Sequence, residues 1–197
     1  MYGANPFKAL QANLHLRVFG MPTKVKTRLF YDCSIQCLMS RRVILMRHAK
    51  SDWNDSALSD HQRPLNPRGK RDAPRMAEKL LQLGWKPNRV LTSDSQRTVE
   101  TLDLMKGKFG EISIEPLTEL YHPTVPTLFS CMASSQPEET LLILAHNPAT
   151  ELAVYELTGE YHQMPTAACA LFIEQGDTWM CQQILRPKEL FGKGNQS

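Results

Sequence analysis

The sequence predicts an α/β fold in which helices are layered on a mostly parallel sheet. Short apolar runs alternate with longer segments whose apolar residues recur at helical spacing. Polar residues capable of chemistry directly follow the strongest of those runs. The 197 residues are 42% hydrophobic and 22% charged, enough material for one sizeable core.

Residues 43–46, Val-Ile-Leu-Met, read as a first buried strand. Residues 50–62 are polar and aperiodic, a surface loop leading into Arg63-Pro64-Leu65-Asn66-Pro67. Asn66 and Pro67 suit an N-cap and a first helical position. Ala73, Met76, Ala77, Leu80 and Leu81 then repeat at helical spacing, Gly84 is placed to end the helix, and Pro74 predicts a kink or a late start. Residues 89–92 read as the second strand. Ser93 or Asp94 is the expected cap of a helix running to about Met105, with Val99, Leu102 and Met105 on one face. A third strand is expected over residues 111–114, a helix over 125–134, and a strongly apolar strand over 140–145 (Thr-Leu-Leu-Ile-Leu-Ala). A helix over 149–157 stops before Gly159. Two strands, 168–174 and 178–185, flank Gln175-Gly176-Asp177 as a hairpin.

Charge divides the chain. Residues 1–38 hold Lys8, Arg17, Lys24, Lys26 and Arg28 against Asp32 alone. Taking five basic residues from 23 and one acid from 20 leaves 18 against 19, so the net +3 belongs to this extension. The expected organisation is a basic extension over 1–38, a dispensable or misassigned start with Met39 as the alternative first residue, followed by one domain over 39–197. An organelle transit peptide is the rival reading of the extension. The small net charge gives no reason to expect nucleic acid or an anionic membrane as partner. No apolar run reaches the about 20 residues a membrane-spanning helix needs. The cysteines, Cys33, Cys37, Cys131, Cys169 and Cys181, are odd in number and lack C-x-x-C spacing, which fits reduced thiols in a cytoplasmic protein better than a metal site. The remaining histidines, His15, His61, His122 and His162, show no ligand spacing either, and no metal or cofactor is expected.

In open α/β sheets ligands bind beyond the carboxyl ends of the strands. Three segments stand there: Arg47-His48, Ser93 to Arg97, and His146-Asn147. Arginine offers a fixed fork of donors to phosphate oxygens, and a neutral imidazole nitrogen can attack phosphorus. Taken singly, an Arg-His pair is an ordinary surface pair and a lone histidine an ordinary core residue. Their recurrence at three equivalent topological positions predicts a phosphoryl pocket.

Leu45-Met46-Arg47-His48-Ala49-Lys50-Ser51 resembles the opening motif of the histidine phosphatase superfamily, which also contains the phosphoglycerate mutases. With Arg63-Pro64-Leu65-Asn66-x-x-Gly69, it is similar to the SixA-type phosphohistidine phosphatases over about residues 42–187. That resemblance implies a three-layer sandwich, a nucleophilic His48, phosphate contacts from Arg47 and Arg97, and a second histidine, His146, stabilising the transition state. Arg63 is implied near the pocket as a substrate-binding residue. Ala49 and Ala145 stand where the superfamily commonly has glycine. Glu119, in Leu117-Thr118-Glu119-Leu120-Tyr121-His122, is the nearest candidate for the acid that protonates an alkoxide leaving group. A phosphoramidate relies on such an acid less, because imidazole is easily protonated. The expected function is metal-independent removal of phosphoryl groups from histidine of signalling or phosphotransfer proteins by a monomer. A small-molecule phosphomonoesterase is the alternative, and a non-catalytic phosphoprotein-binding module a third.

Overall fold

The computed structural model describes residues 40–192. The extension, with Cys33, Cys37, His15 and the boundary expected at residue 38, lies outside the described residues.

The described chain runs β1 (Arg42–Arg47), α1 (Pro67–Gln82), β2 (Arg89–Thr92), α2 (Gln96–Phe109), β3 (Ser113–Pro116), a 3₁₀ turn (Thr118–Leu120), α3 (Val125–Ala133), β4 (Thr140–Ala145), α4 (Ala149–Thr158), β5 (Cys169–Gln175), β6 (Thr178–Leu185) and α5 (Pro187–Phe191). The strands form one sheet in the order β3-β2-β4-β1-β5-β6. Every pairing among β3, β2, β4 and β1 is parallel, whereas β5 lies antiparallel to both β1 and β6. Only β5 therefore runs against the other strands, and the α/β sandwich with a mostly parallel sheet is borne out.

Side chains alternate across the sheet with period two and build a core on each face. Ile44, Met46, Val90, Leu142, Leu144, Cys169 and Leu171 face α1 and α2, meeting Met76, Leu80, Met105 and Phe109. Val43, Leu45, Leu91, Leu141, Ile143, Ala145 and Phe172 face α3 and α4, meeting Leu128, Met132, Ala153 and Val154. Central β4 is buried at all six positions, which is why its sequence is continuously apolar rather than alternating.

The Asn66 cap is formed: its side chain accepts from Gly69 N at 2.9 Å, with Pro67 opening the helix. The helix does not start late, since Pro74 lies inside it. The second helix begins later than expected, with Ser95 at the cap. Ser93 Oγ is turned instead toward His146 and Ser95 N. The buried face of that helix is also rotated from the expected one. Val99 is exposed while Thr98 and Thr101 are fully buried, because their hydroxyls are bonded to the Ser93, Ser95 and Arg97 carbonyls. The third strand is displaced to residues 113–116 and exposed throughout, an edge strand whose pairing to β2 rather than burial defines it. The hairpin and the Gly159 stop, at φ 71°, stand as expected.

Candidate active site

Sheet register brings the three chemistry-bearing segments together. Arg47 pairs with Ala145 across β1 and β4, and Thr92 with Leu144 across β2 and β4. The residues that follow remain tied by backbone bonds, His48 N to Ala145 O at 3.0 Å and Ser93 N to Leu144 O at 3.1 Å. Arg47-His48, Ser93 and His146 thus stand side by side at the carboxyl ends of β1, β2 and β4, although His48 and His146 are 98 residues apart in sequence. Arg97 is added by the first turn of α2, whose buried face it opens.

His48 is 7% exposed and its ring centroid lies 4.8 Å from that of His146. Nδ1 of His48 is 2.7 Å from Ala49 O. A carbonyl only accepts, so Nδ1 carries the proton and Nε2 is left with its lone pair. Burial pushes this imidazole down to about 3, against the Ala49 bond and with the help of the Arg97, Arg47 and Arg63 charges. The ring is therefore neutral at physiological pH. His146, driven to about 2 by burial and by His48 and Arg97 beside it, is neutral as well. Its Nδ1 faces Arg97 Nη2 at 3.3 Å and its Nε2 faces Ser93 Oγ at 3.0 Å. A guanidinium only donates, so Nδ1 of His146 accepts from Arg97 and Nε2 carries the proton toward Ser93 Oγ.

Three guanidiniums surround the imidazoles, all largely buried. Arg47 Nη1 donates to Met164 O at 3.0 Å. Arg63 donates to Ser51 Oγ at 2.8 Å, is paired with Asp60 at 3.0 Å and lies 3.3 Å under the Trp53 ring. Arg97 bonds both the backbone carbonyl and the carboxylate of Asp60. Burial lowers the pKa of Arg47 and Arg63, yet guanidiniums stay protonated. The Nε atoms of Arg47, Arg63 and Arg97 are buried without a hydrogen-bond partner. A concentration of positive charge with unspent donors is what an oxyanion satisfies.

Several residues hold this arrangement, and of them the sequence marks only Asn147, as standing just after a strand. Thr101 Oγ1 accepts from Ala49 N at 3.1 Å, fastening α2 to the chain just after His48. Ala167, in the left-handed region at φ 63°, aims its N–H at both the Arg47 and His48 carbonyls. Asn147 Nδ2 joins Glu151 at 2.7 Å to Met164 O at 3.1 Å, the same carbonyl that receives Arg47. Asp60 accepts from Arg63, Arg97 and, at 2.7 Å, the Tyr121 hydroxyl. Thr101, Ala167 and Asp60 carry no local signal, because each matters through a partner distant in sequence.

The candidate residues Arg47, His48, Arg63, Arg97 and His146 come together; Glu119 does not join them. Glu119 is exposed on a cleft of about 560 Å³ between β3 and α3, lined also by Arg89, Leu91, Thr127 and Cys131. Among the described residues no cluster of His, Cys, Asp and Glu could hold a metal ion. No helix among them is long and apolar enough to cross a membrane.

Comparison with known proteins points to one family and fold. Residues 43–122 match the model of the histidine phosphatase superfamily, branch 1. An uncharacterized chloroplastic protein of Arabidopsis thaliana is 36% identical over 152 residues, covering 72% of this chain and 70% of its own. The SixA structure from Agrobacterium tumefaciens is similar at 27% identity and a TM-score of 0.67, covering 74% of this chain and 97% of that one. The protein histidine phosphatase SixA complexed with tungstate is similar at 25% identity and a TM-score of 0.66, covering 76% and 99%. With the motif residues, the sheet order and these relatives in agreement, the chain belongs to the histidine phosphatase superfamily.

Proposed function

We propose that this protein is a phosphohistidine phosphatase in which His48 is the nucleophile and Arg47, Arg97 and His146 hold the phosphoryl group. The observation that carries the reading is the His48 tautomer: Nδ1 is committed to Ala49 O, leaving Nε2 as a neutral, buried base beside three guanidiniums. The SixA protein that binds tungstate, itself an oxyanion, adds support.

The reaction is a double displacement. Nε2 of His48 forms a bond to phosphorus while the bond to the leaving group breaks. The resulting imidazolium on the enzyme keeps its Nδ1 proton on Ala49 O. Arg47 and Arg97 offset charge on the equatorial oxygens. His146, its ring centroid 4.8 Å from that of His48 and its Nδ1 held by Arg97, flanks the phosphoryl oxygens and keeps Arg97 directed at them. Water next attacks phosphorus, the P–Nε2 bond breaks, and inorganic phosphate leaves with His48 restored. Arg63, through Ser51 and Asp60, lines the same pocket. The guanidiniums supply the positive charge, so the reading requires no metal and no cofactor.

Glu119 lines the cleft beside α3, where its charge acts on Cys131. Without a carboxylic acid from that position, a phosphoramidate whose leaving nitrogen is easily protonated suits the site better than an alkyl ester. The substrate on this reading is a phosphorylated histidine on a partner protein, and a small phosphomonoester is the alternative. Free Cys131, Cys169 and Cys181 suit a reducing compartment such as the cytoplasm, with an organelle as the setting if residues 1–38 act as a leader.

The test is hydrolysis of a phosphohistidine-bearing protein and of p-nitrophenyl phosphate in EDTA, by the full chain and by His48→Ala. Chelator-resistant activity that favours phosphohistidine and vanishes in the variant is expected. Activity surviving in His48→Ala would overturn the mechanism, and a preference for the ester would move the assignment to the small-molecule class.

A further inference from the structure

The pocket has a floor and a rim of opposite sign. Arg63 and Arg97 are buried, at 8% and 5% exposure, whereas the Asp60 side chain that bonds both is 48% exposed. Burial alone would raise the Asp60 carboxyl, but the Tyr121 hydroxyl and the Arg97 and Arg63 charges outweigh it and hold the group below the usual range, hence ionised. A second carboxylate, Asp94, bonds the half-buried His61 at 3.0 Å, and the rings of His61 and Tyr121 meet edge to face at 4.8 Å. Tyr121 in turn stands edge-on to His146 at 5.6 Å. The side of the phosphoryl site that meets solvent is thus formed by flat rings around a fixed negative charge.

Resting on the phosphatase reading above, we infer that Asp60 is a specificity-determining residue whose carboxylate selects leaving groups that depart from a cationic precursor. The chemistry is that of an N-phosphoryl imidazole. Protonation of its distal nitrogen makes the ring a cation and weakens the P–N bond. Asp60 accepts a hydrogen bond from that distal N–H. As the His48 Nε2–P bond forms, the P–N bond breaks, its electron pair returns to the ring nitrogen, and neutral imidazole leaves with the distal proton it already carried. No separate acid is consumed. A phenolate or a carboxylate-bearing alcohol meets the opposite field, since its negative charge develops or already stands beside Asp60. Asp60 thereby supplies by electrostatics the discrimination for which an acid at Glu119 would have no use.

The experiment compares kcat/KM of the intact chain, Asp60→Asn and Asp60→Glu on three probes: phosphoimidazole, p-nitrophenyl phosphate and 3-phosphoglycerate. Asparagine keeps an oxygen for Arg97 and Tyr121, removes the charge and gives up the oxygen that accepts from Arg63, whereas Asp60→Glu keeps the charge. The expected result has opposite signs: phosphoimidazole cleavage by Asp60→Asn falls roughly five- to tenfold while p-nitrophenyl phosphate and 3-phosphoglycerate cleavage rises by a similar factor. Asp60→Glu restores the original ratio. A parallel fall on all probes would reduce Asp60 to a scaffold for Arg63 and Arg97 and overturn the inference, as would unchanged ratios. If the intact chain cleaves only the esters, the phosphohistidine assignment fails by itself. The sign of the Asp60→Asn effect on those esters still decides the role of Asp60.

Discussion

Nδ1 of His48 donates to the carbonyl oxygen of the very next residue, Ala49, at 2.7 Å. This short loop of the chain fixes which nitrogen is free, and Thr101 holds the Ala49 amide in place from the other side. In the proposed reaction the bond is kept through both displacements, so it orients the ring in the free enzyme and stabilises the imidazolium of the intermediate.

Removing that ring should remove the chemistry. His48→Ala is expected to lose roughly 10³-fold or more in kcat without loss of the fold. Rapid quench with labelled substrate checks it: the parent forms an acid-labile, alkali-stable phosphoenzyme and the variant forms none.

Acid should destabilise the protein through its two buried imidazoles. Both pKa values are depressed, to about 3 for His48 and about 2 for His146, against about 6.5 in the unfolded chain. Between those limits the unfolded state binds more protons, so stability rises with pH and is lost on acidification below about 6.5. The slope approaches 1.4 kcal/mol per pH unit for each histidine. Thermal melts from pH 7 to pH 4.5 should show Tm falling, and His146→Gln should flatten the dependence. An unchanged slope in that variant would refute the assignment of a buried, neutral His146.

Gly69 is where the first turn of α1 meets the loop that follows His48. A Cβ built there would stand 2.3 Å from Lys50 O and 3.0 Å from Lys50 N, both main-chain atoms two residues beyond His48. Gly69→Ala must push α1 or the loop aside and is expected to cost about 1–3 kcal/mol of stability and at least tenfold in kcat/KM. Denaturant melts and initial rates on one preparation measure both. By contrast Asn66→Ala, which removes only the helix cap, should cost about 1 kcal/mol and leave kcat near that of the parent.

Glu119→Gln should be silent. It lines the cleft beside α3, where its charge acts on Cys131, so rates on phosphohistidine and on p-nitrophenyl phosphate should both stay within about twofold of the parent. A selective fall on the ester would return Glu119 to the role of leaving-group acid.

Arg47 depends on a relay through Met164 O and Asn147 to Glu151. Asn147→Ala should loosen Arg47 and raise KM several-fold with little effect on fold, and substrate titrations of the variant measure that shift.

Much of this protein is legible without coordinates. The apolar runs determine β1, β2, β4 and the hairpin, since a sheet buried on both faces needs continuous hydrophobicity and a hairpin needs its Gly-centred turn. Asn66-Pro67 determines the start of α1, because cap and ring geometry act over only a few residues. That Arg47, His48, Arg97 and His146 come together follows from their standing at strand ends or in the first turn beyond one. What the sequence cannot determine is whatever depends on a distant partner. Val99 is exposed and Thr98 and Thr101 buried because hydroxyls found carbonyls and an amide to bond, a pairing invisible to helical periodicity. Asp60 reads as one more loop acid until the fold sets it against Arg63, Arg97 and Tyr121. Glu119, offered by the sequence as the nearest candidate acid, is set by the 3₁₀ turn on the cleft beside α3. Local sequence sets which segments become strands and helices. Sheet register and long-range hydrogen bonds, which form only when the chain is folded, decide which charges share the pocket.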